Sequence, residues 1–288
     1  MQSGYVGIIG LTNTGKSTLL NALVGQKISI VSKKDQTTLI PIYGILTTDE
    51  YQMVFLDTPG IQKPHNSFDS MVQNNIKSSL FDLDVIIHLV DDKYNAKDEY
   101  TISLFKEKKI PVILAINKID LLKTKSWRYQ VDEIIVSFMN VFDYHAYIPI
   151  SSTKQTYLNH LLSAILLVLP QGEIIYPEDE VTNQSMKKLI TDIIREKVLY
   201  FTDNDVKSGF YVSINHIIEN KYFIDIVCNK ENHKKMIIGT DGLLIKKIKE
   251  LAKKDLQKNY DLKIDLDIFV KVDKNWKDNK NKVQREAF

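Results

Sequence analysis

Cysteine is nearly missing from this chain: Cys228 is the single one in 288 residues. One thiol excludes a disulfide within the chain and argues against a cysteine-based metal site. Both absences fit a reducing compartment. Arginine is almost as scarce. Of 38 basic residues only Arg128, Arg195 and Arg285 are arginine, so the first 127 residues can supply no guanidinium. No single sign of charge dominates either. A net charge of +2 excludes a polycation, and any nucleic-acid contact has to come from a local patch. Long apolar runs are also lacking: the longest, 161–169, is interrupted by Ser163 and falls short of the ~20 residues that span a bilayer. Residues 1–10 carry neither a basic start nor a long apolar run, so no secretory leader is read and a cytoplasmic protein is expected. The six histidines, among them His65 and His88, show no metal-ligand spacing.

What is present is ordinary globular material, 44% hydrophobic and 26% charged, long enough for one to three domains. Over residues 1–170, short apolar runs predict strands at 5–9, 53–56, 85–90, 111–116 and 147–150. Helical segments are predicted at 18–24, 68–80, 98–108 and 157–169. Continuous apolar strands alternating with helices predict an α/β domain with a mostly parallel sheet covered on both faces. Pro170-Gln171-Gly172-Glu173 ends this pattern, and Pro177-Glu178-Asp179-Glu180 continues it as a polar linker over 171–182. A second, α+β domain is then expected over 183–288. Thr182-Asn183 can cap a helix running to about Phe201, with Met186, Leu189, Ile190, Ile193, Ile194 and Val198 on its apolar face. Strands at 210–217 and 222–229 turn around Glu219-Asn220; helices at 233–237 and 243–258 and a strand at 262–272 follow.

Three short segments carry chemistry. Gly10-Leu11-Thr12-Asn13-Thr14-Gly15-Lys16-Ser17 has the G-x4-G-K-[ST] spacing of a phosphate loop and lies between a buried strand and the helix that Thr18 enters. Its glycines allow backbone N–H groups to turn onto phosphate oxygens, at the positive end of a helix. Lys16 is expected on the terminal phosphates and the Ser17 hydroxyl on Mg2+. Asp57-Thr58-Pro59-Gly60 ends a strand, which puts Asp57 near the same metal and the Gly60 N–H near a γ-phosphate. Asn117-Lys118-Ile119-Asp120 ends another strand. A carboxylate at Asp120 can take the N1–H and N2–H of guanine as a pair. Adenine offers neither, and such a mismatch discriminates by roughly 10⁴-fold or more. The Lys118 stem is expected along the base, and the Ser151-Ser152-Thr153 loop offers a backbone N–H to guanine O6.

In this order the segments resemble those of translation-factor-related GTPases, with a Ras-like G domain of the P-loop NTPase fold. The second half narrows the resemblance. Lys235-Met236-Ile237-Ile238-Gly239-Thr240-Asp241-Gly242, followed by Leu243-Leu244-Ile245-Lys246-Lys247-Ile248, looks like the G-x-x-G loop of a type II KH domain. With Gln36-Thr37-Thr38, Ile193-Ile194-Arg195-Glu196-Lys197, Val270-Lys271-Val272 and Trp276, nearly the whole chain resembles the Era family of GTPases. The resemblance implies GTP and GDP as ligands with Mg2+, and the 3′ end of small-subunit ribosomal RNA and the 30S particle as partners. It also implies a role in small-subunit maturation, and peripheral contact with the inner face of the membrane. A monomer is expected. Independently of family, a G-x-x-G loop can clamp a nucleotide backbone at a helix start. Residues 230–258 hold nine Lys against four acidic residues, a stripe suited to phosphates. The RNA contacts are placed at Lys235, Ile238, Gly239, Thr240, Asp241, Gly242, Lys246 and Lys247.

The departures have consequences. Asp241 stands where KH loops commonly carry a basic residue, Leu39 where the family usually has arginine, and Ser152 where the base loop usually has alanine. Ile61 replaces the glutamine that many GTPases use to orient water, and no switch arginine exists, so slow intrinsic turnover is expected. Asn13 matches the asparagine with which related GTPases hold K+, and K+ there is expected to replace part of the missing guanidinium. The catalytic set is read as Lys16, Thr38 and Gly60. Thr38, with Thr37 as its neighbour and alternative, is read as the switch residue on Mg2+. Its release after hydrolysis is expected to loosen residues 32–43 and reposition the KH domain through 171–181. A nucleotide-bound RNA chaperone without turnover and an ATPase are the competing readings.

Overall fold

A computed structural model describes residues 1–29, 42–58, 82–122, 126–206 and 209–276. These divide into two compact units, the first running to Asn183 and the second beginning at Gln184.

The first unit is built on a sheet of six strands: β1 (Gln2–Ile9), β2 (Ile42–Thr47), β3 (Tyr51–Asp57), β4 (Val85–Val90), β5 (Val112–Ile116) and β6 (Ala146–Pro149), in the order β2-β3-β1-β4-β5-β6. All neighbours are parallel except β2, which pairs antiparallel with β3 at the edge. β4 and β5 are buried at every residue, as expected of strands covered on both faces. One face carries a core of Val6, Ile8, Leu19, Phe55 and Ile165. The other carries Ile9, Leu56, Phe105, Leu114 and Phe138. Helices α1 (Lys16–Val24), α2 (Ala96–Ser103), α3 (Trp127–Met139) and α4 (Leu158–Leu166) complete the described layers. This arrangement places the carboxyl ends of the parallel strands β1, β3, β4, β5 and β6 along one edge; the phosphate loop follows β1, Asp57 ends β3, the 117–120 segment follows β5 and the 151–153 loop follows β6.

Several expectations shift. β2 and α3 were not anticipated from the pattern; α3 nevertheless buries Val131, Ile134 and Phe138 at helical spacing. The helix expected over 98–108 starts at Ala96, because Asn95 and Asp98 form a reciprocal cap, and ends at Ser103. The helix expected over 68–80 lies outside the described residues. Segment 171–182, expected as a linker, is laid on the sheet edge. Gln52 accepts the N–H of Ile175 at 2.8 Å and of Tyr176 at 2.9 Å, and Ile45 N–H donates to Val181 O at 2.9 Å.

The second unit is α5 (Met186–Phe201), β7 (Phe210–Ile218), β8 (Lys221–Cys228), α6 (Glu231–Ile238), α7 (Leu243–Tyr260) and β9 (Asp265–Val272). The helix-strand-strand-helix-helix-strand order agrees with the sequence reading. β7 and β8 pair antiparallel and β8 and β9 parallel, so β8 is central. The turn joining β7 to β8 does fall at Glu219, whose φ is 52°. One face of this sheet packs Ile224, Ile226 and Leu266 against Ile190, Ile194, Val198, Ile248 and Ala252 of the helices. The α5 cap is Ser185, whose hydroxyl accepts Lys188 N–H at 3.2 Å, and not Thr182-Asn183. Thr182 instead donates its hydroxyl to Tyr43 O at 2.8 Å. Met186, read as apolar-face, is 45% exposed because the helix begins with it.

Candidate functional site

The loop 10–17 leaves β1 and enters α1 at Lys16. Gly15 has φ 101°, a backbone region closed to most side chains, and a Cβ on it would stand 2.4 Å from Asn117 Nδ2. Glycine is therefore required there twice over. Lys16 is buried, and its ammonium donates to Gly10 O at 3.0 Å and Leu11 O at 2.7 Å. Burial pulls its pKa down to about 8, against the opposing attraction of Asp57 and Asp91. An ammonium so desolvated is well matched to a phosphate anion, which would replace two carbonyl partners with full negative charge. The first turn of α1 contains no acidic residue to oppose an anion. Thr14 Oγ1 donates to Leu11 O at 2.9 Å, and Asn13 takes a left-handed φ of 65°, which shapes the loop.

Asp57 ends β3 fully buried, and Ser29 donates its hydroxyl to Asp57 Oδ2 at 2.8 Å. Ser29 was not singled out in the sequence: it lies 28 residues from its partner and belongs to no motif. Thr58 Oγ1 donates to Ile8 O at 2.9 Å, which ties this strand end to β1. Thr38, its alternative Thr37, Gly60 and the neighbouring Leu39, Ile61 and His65 lie outside the described residues.

The base-reading segment is more completely built. Asn117 is buried, and its Nδ2 donates to Thr14 O at 2.8 Å. Its Oδ1 accepts Ser152 N–H at 3.0 Å and the Ser152 hydroxyl at 2.9 Å. Lys118, at φ 63°, donates to Asn13 O at 2.6 Å and forms an ion pair with Asp91 at the end of β4. Asp91 is a second residue the sequence reading missed, since nothing in its local pattern marks it. Asp120 Oδ1 accepts the Ser151 hydroxyl at 2.6 Å. In the loop that follows, Ser151 N–H goes to Thr156 O, Ser152 N–H to Asn117 and Lys154 N–H to Ser151 Oγ; among the described residues Thr153 N–H makes no such bond. The expected residues of the phosphate loop, Asp57, Asn117, Lys118, Asp120 and the 151–153 loop are thus brought together at one edge of one sheet.

In the second unit, α6 ends at Ile238 and Gly239 follows with φ 73° and ψ 176°; a Cβ there would lie 2.5 Å from Leu244 Cβ. Asp241 (φ 50°) and Gly242 (φ 71°) complete a left-handed turn, and α7 starts at Leu243 with no side-chain cap and no acidic residue in its first turn. Uncapped N–H groups at a helix start favour anions. Lys235, Thr240, Asp241, Lys246 and Lys247 are exposed around this turn. Lys247 places its ammonium 4.6 Å from the Phe201 ring centroid. The basic stripe is smaller than its count suggests. Lys249 and Lys253 both face Asp265, at 3.9 and 3.1 Å. Among the described residues no helix is long and apolar enough to cross a membrane.

Residues 5–118 match the family model described as 50S ribosome-binding GTPase, and residues 197–277 match the KH domain model. The chain is 39% identical to GTPase Era of Caldanaerobacter subterraneus subsp. tengcongensis over 100% of its own length and 98% of the relative's. It is 41% identical to GTPase Era of Thermoanaerobacter sp. strain X514, over 96% and 93%. Two solved structures cover 99% of the chain and 98% of their own at 34% identity. One is Era in complex with MgGDPNP and nucleotides 1506–1542 of 16S ribosomal RNA, at TM-score 0.91; the other is an Aquifex aeolicus Era variant bound to GDP and AlF4−, at 0.92.

Proposed function

The chain belongs to the Era family of GTPases, and from that membership we propose that it binds the 3′ region of small-subunit ribosomal RNA through its KH domain, under control of GTP hydrolysis, during 30S assembly. The observation that carries this reading is the Asn117 carboxamide. It ties the guanine-reading segment to the phosphate loop at 2.8 Å, so that base and phosphates are held by one rigid frame. Lys16 and the N–H groups of 10–18 hold the phosphates; Ser17 and Asp57 hold Mg2+, with Thr38 joining them in the GTP state. Magnesium supplies charge neutralisation across the phosphate oxygens. Asp120, aimed by Ser151, takes the guanine N1–H and N2–H. Thr153 N–H is the loop amide left for O6. Lys118 covers the base while anchored to Asn13 O and Asp91.

Turnover is slow for want of a switch arginine and a water-orienting glutamine, with Ile61 in the latter's place and K+ at Asn13 as partial compensation. The RNA backbone lies across 238–242, with Lys235, Lys246 and Lys247 flanking it. Asp241 lowers the affinity that the loop alone would give. The chain acts as a monomer in the cytoplasm, and any membrane contact is peripheral.

Multiple-turnover phosphate release, with and without a 3′-terminal small-subunit RNA fragment and in K+ against Na+, tests the enzyme. Release that stays at zero under all four conditions leaves a nucleotide-bound RNA chaperone. ATP displacing bound GDP at equal concentration would remove the guanine assignment.

A further inference from the structure

We infer that the Ser152 hydroxyl is a positioning group for guanine nucleotides, acting through Asn117 to slow nucleotide escape; the inference rests on the nucleotide-site reading above. Ser152 is 3% exposed, and its hydroxyl and N–H converge on the same acceptor, Asn117 Oδ1, at 2.9 and 3.0 Å. A carbonyl oxygen has two lone pairs, so this residue satisfies both. At the far end of the carboxamide, Nδ2 donates to Thr14 O at 2.8 Å.

This arrangement has one orientation. Turning the carboxamide by 180° would set NH2 against the Ser152 N–H, donor to donor, and oxygen against Thr14 O, acceptor to acceptor. Asn117 is therefore a directed strut between base loop and phosphate loop. Its packing is equally direct, since Gly15 approaches so closely that a Cβ there would fall 2.4 Å from Nδ2. Any displacement of the strut is felt by the loop that cradles the phosphates.

Ser151 and Ser152 divide the work. The Ser151 hydroxyl holds Asp120 Oδ1 at 2.6 Å and so sets the direction of the carboxylate. The Ser152 hydroxyl holds Asn117, three residues earlier, and so sets the distance between that carboxylate and the phosphates. Alanine at 152 would keep the N–H bond and lose the hydroxyl. The strut would then be held at one lone pair instead of two, and would yield more readily when nucleotide leaves.

The test uses the full chain, fluorescent GDP and a chase with unlabelled GDP. Ser152→Ala is expected to dissociate GDP about 3–10-fold faster, the range set by one net hydrogen bond. Its association rate should stay near the unmutated value, because the bond restrains the closed site and not the encounter. Ser152→Thr, which keeps a hydroxyl on the same Cβ, is expected to return the dissociation rate towards the unmutated one. A merely structural serine would lower the melting temperature of nucleotide-free protein and leave the GDP dissociation rate alone; that result overturns the proposal. So does a Ser152→Thr protein that loses GDP as fast as Ser152→Ala. Failure of the unmutated chain to bind GDP at all would instead overturn the reading of the site, and the unmutated arm of the same experiment reports it.

Discussion

Asp120 and His88 show how opposite degrees of exposure serve opposite ends: the carboxylate is exposed and the imidazole fully buried. Asp120 is kept available: one oxygen takes the Ser151 hydroxyl, and its approach is open to a base with two donors. Asp120→Asn presents a donor where guanine also has one. Preference is expected to move from guanine to xanthine nucleotides by at least about 100-fold, as measured by competition of GDP and XDP for one site. An unchanged GDP preference would remove Asp120 as the base reader. His88, in contrast, is sealed. It lies fully buried on β4 with Nδ1 2.7 Å from the Tyr144 hydroxyl, ringed by Phe105 and Phe138. Burial, reinforced by Lys16, holds its pKa at about 3 against the usual 6.5. The sign follows from linkage: the folded chain keeps this ring neutral, while the unfolded chain protonates below 6.5. Stability from this group is therefore complete above pH 6.5 and declines as pH falls towards 3, by up to about 1.4 kcal/mol per pH unit. Urea unfolding at pH 7 and pH 5 checks this. His88→Phe should show a shallower loss between those values, and an equal loss in both proteins would assign the acid sensitivity elsewhere.

At the scale of elements, the turn between α6 and α7 is decided by backbone geometry more than by charge. Gly239 sits at φ 73° and ψ 176°, a region essentially restricted to glycine, and Leu244 occupies the space a side chain would need. Gly242 is also left-handed, at φ 71°, but faces open space. Gly239→Ala is therefore expected to cost about 1–3 kcal/mol in the second unit. RNA affinity should fall at least about tenfold, with GDP affinity unaffected. Gly242→Ala should cost nearer 1 kcal/mol. Thermal melts and RNA titrations on both variants decide this, and equal penalties at the two glycines would contradict the packing argument. The same comparison separates the turn from the Lys-rich helix behind it. Two of the lysines on that helix already face Asp265 and have less to offer a phosphate.

At the scale of the molecule, the segment 171–182 is the notable feature, because a polar linker has become part of a sheet edge. Val181 O accepts from Ile45 and Thr182 donates to Tyr43, both on β2. β2 begins at Ile42, directly after residues 30–41, which contain Thr37 and Thr38. The proposed switch residue Thr38 stands four residues before β2, and β2 is hydrogen-bonded to Val181 and Thr182, just before the Ser185 cap of α5. We expect RNA affinity to differ between GDP and a non-hydrolysable GTP analogue. Thr182→Val, which keeps the shape and removes the hydroxyl, should bring that ratio closer to one without altering GDP affinity. A ratio that Thr182→Val leaves intact would rule out coupling through β2 and Thr182.

The amino-acid order alone determined whatever chemistry is contiguous. The phosphate loop, Asp57, the Asn117–Asp120 segment, the 239–242 turn and, apart from β2, α3 and the Ser185 cap, both patterns of strand and helix are local, written in glycines, periodicity and neighbouring polar residues. Tertiary structure decided what joins residues far apart in the chain. Ser29 reaches Asp57, Asp91 meets Lys118, Ser152 grips Asn117, and the 171–182 segment closes the edge of β2. None of these pairings has a local signature. Asp57, Asp91, Lys118 and Ser152 are gathered because the sheet delivers separate strand ends to one edge, and the 171–182 segment is held because β2 is an edge strand with backbone groups to pair; in each case a group becomes a partner only after folding has brought it within 3 Å or so of its neighbour.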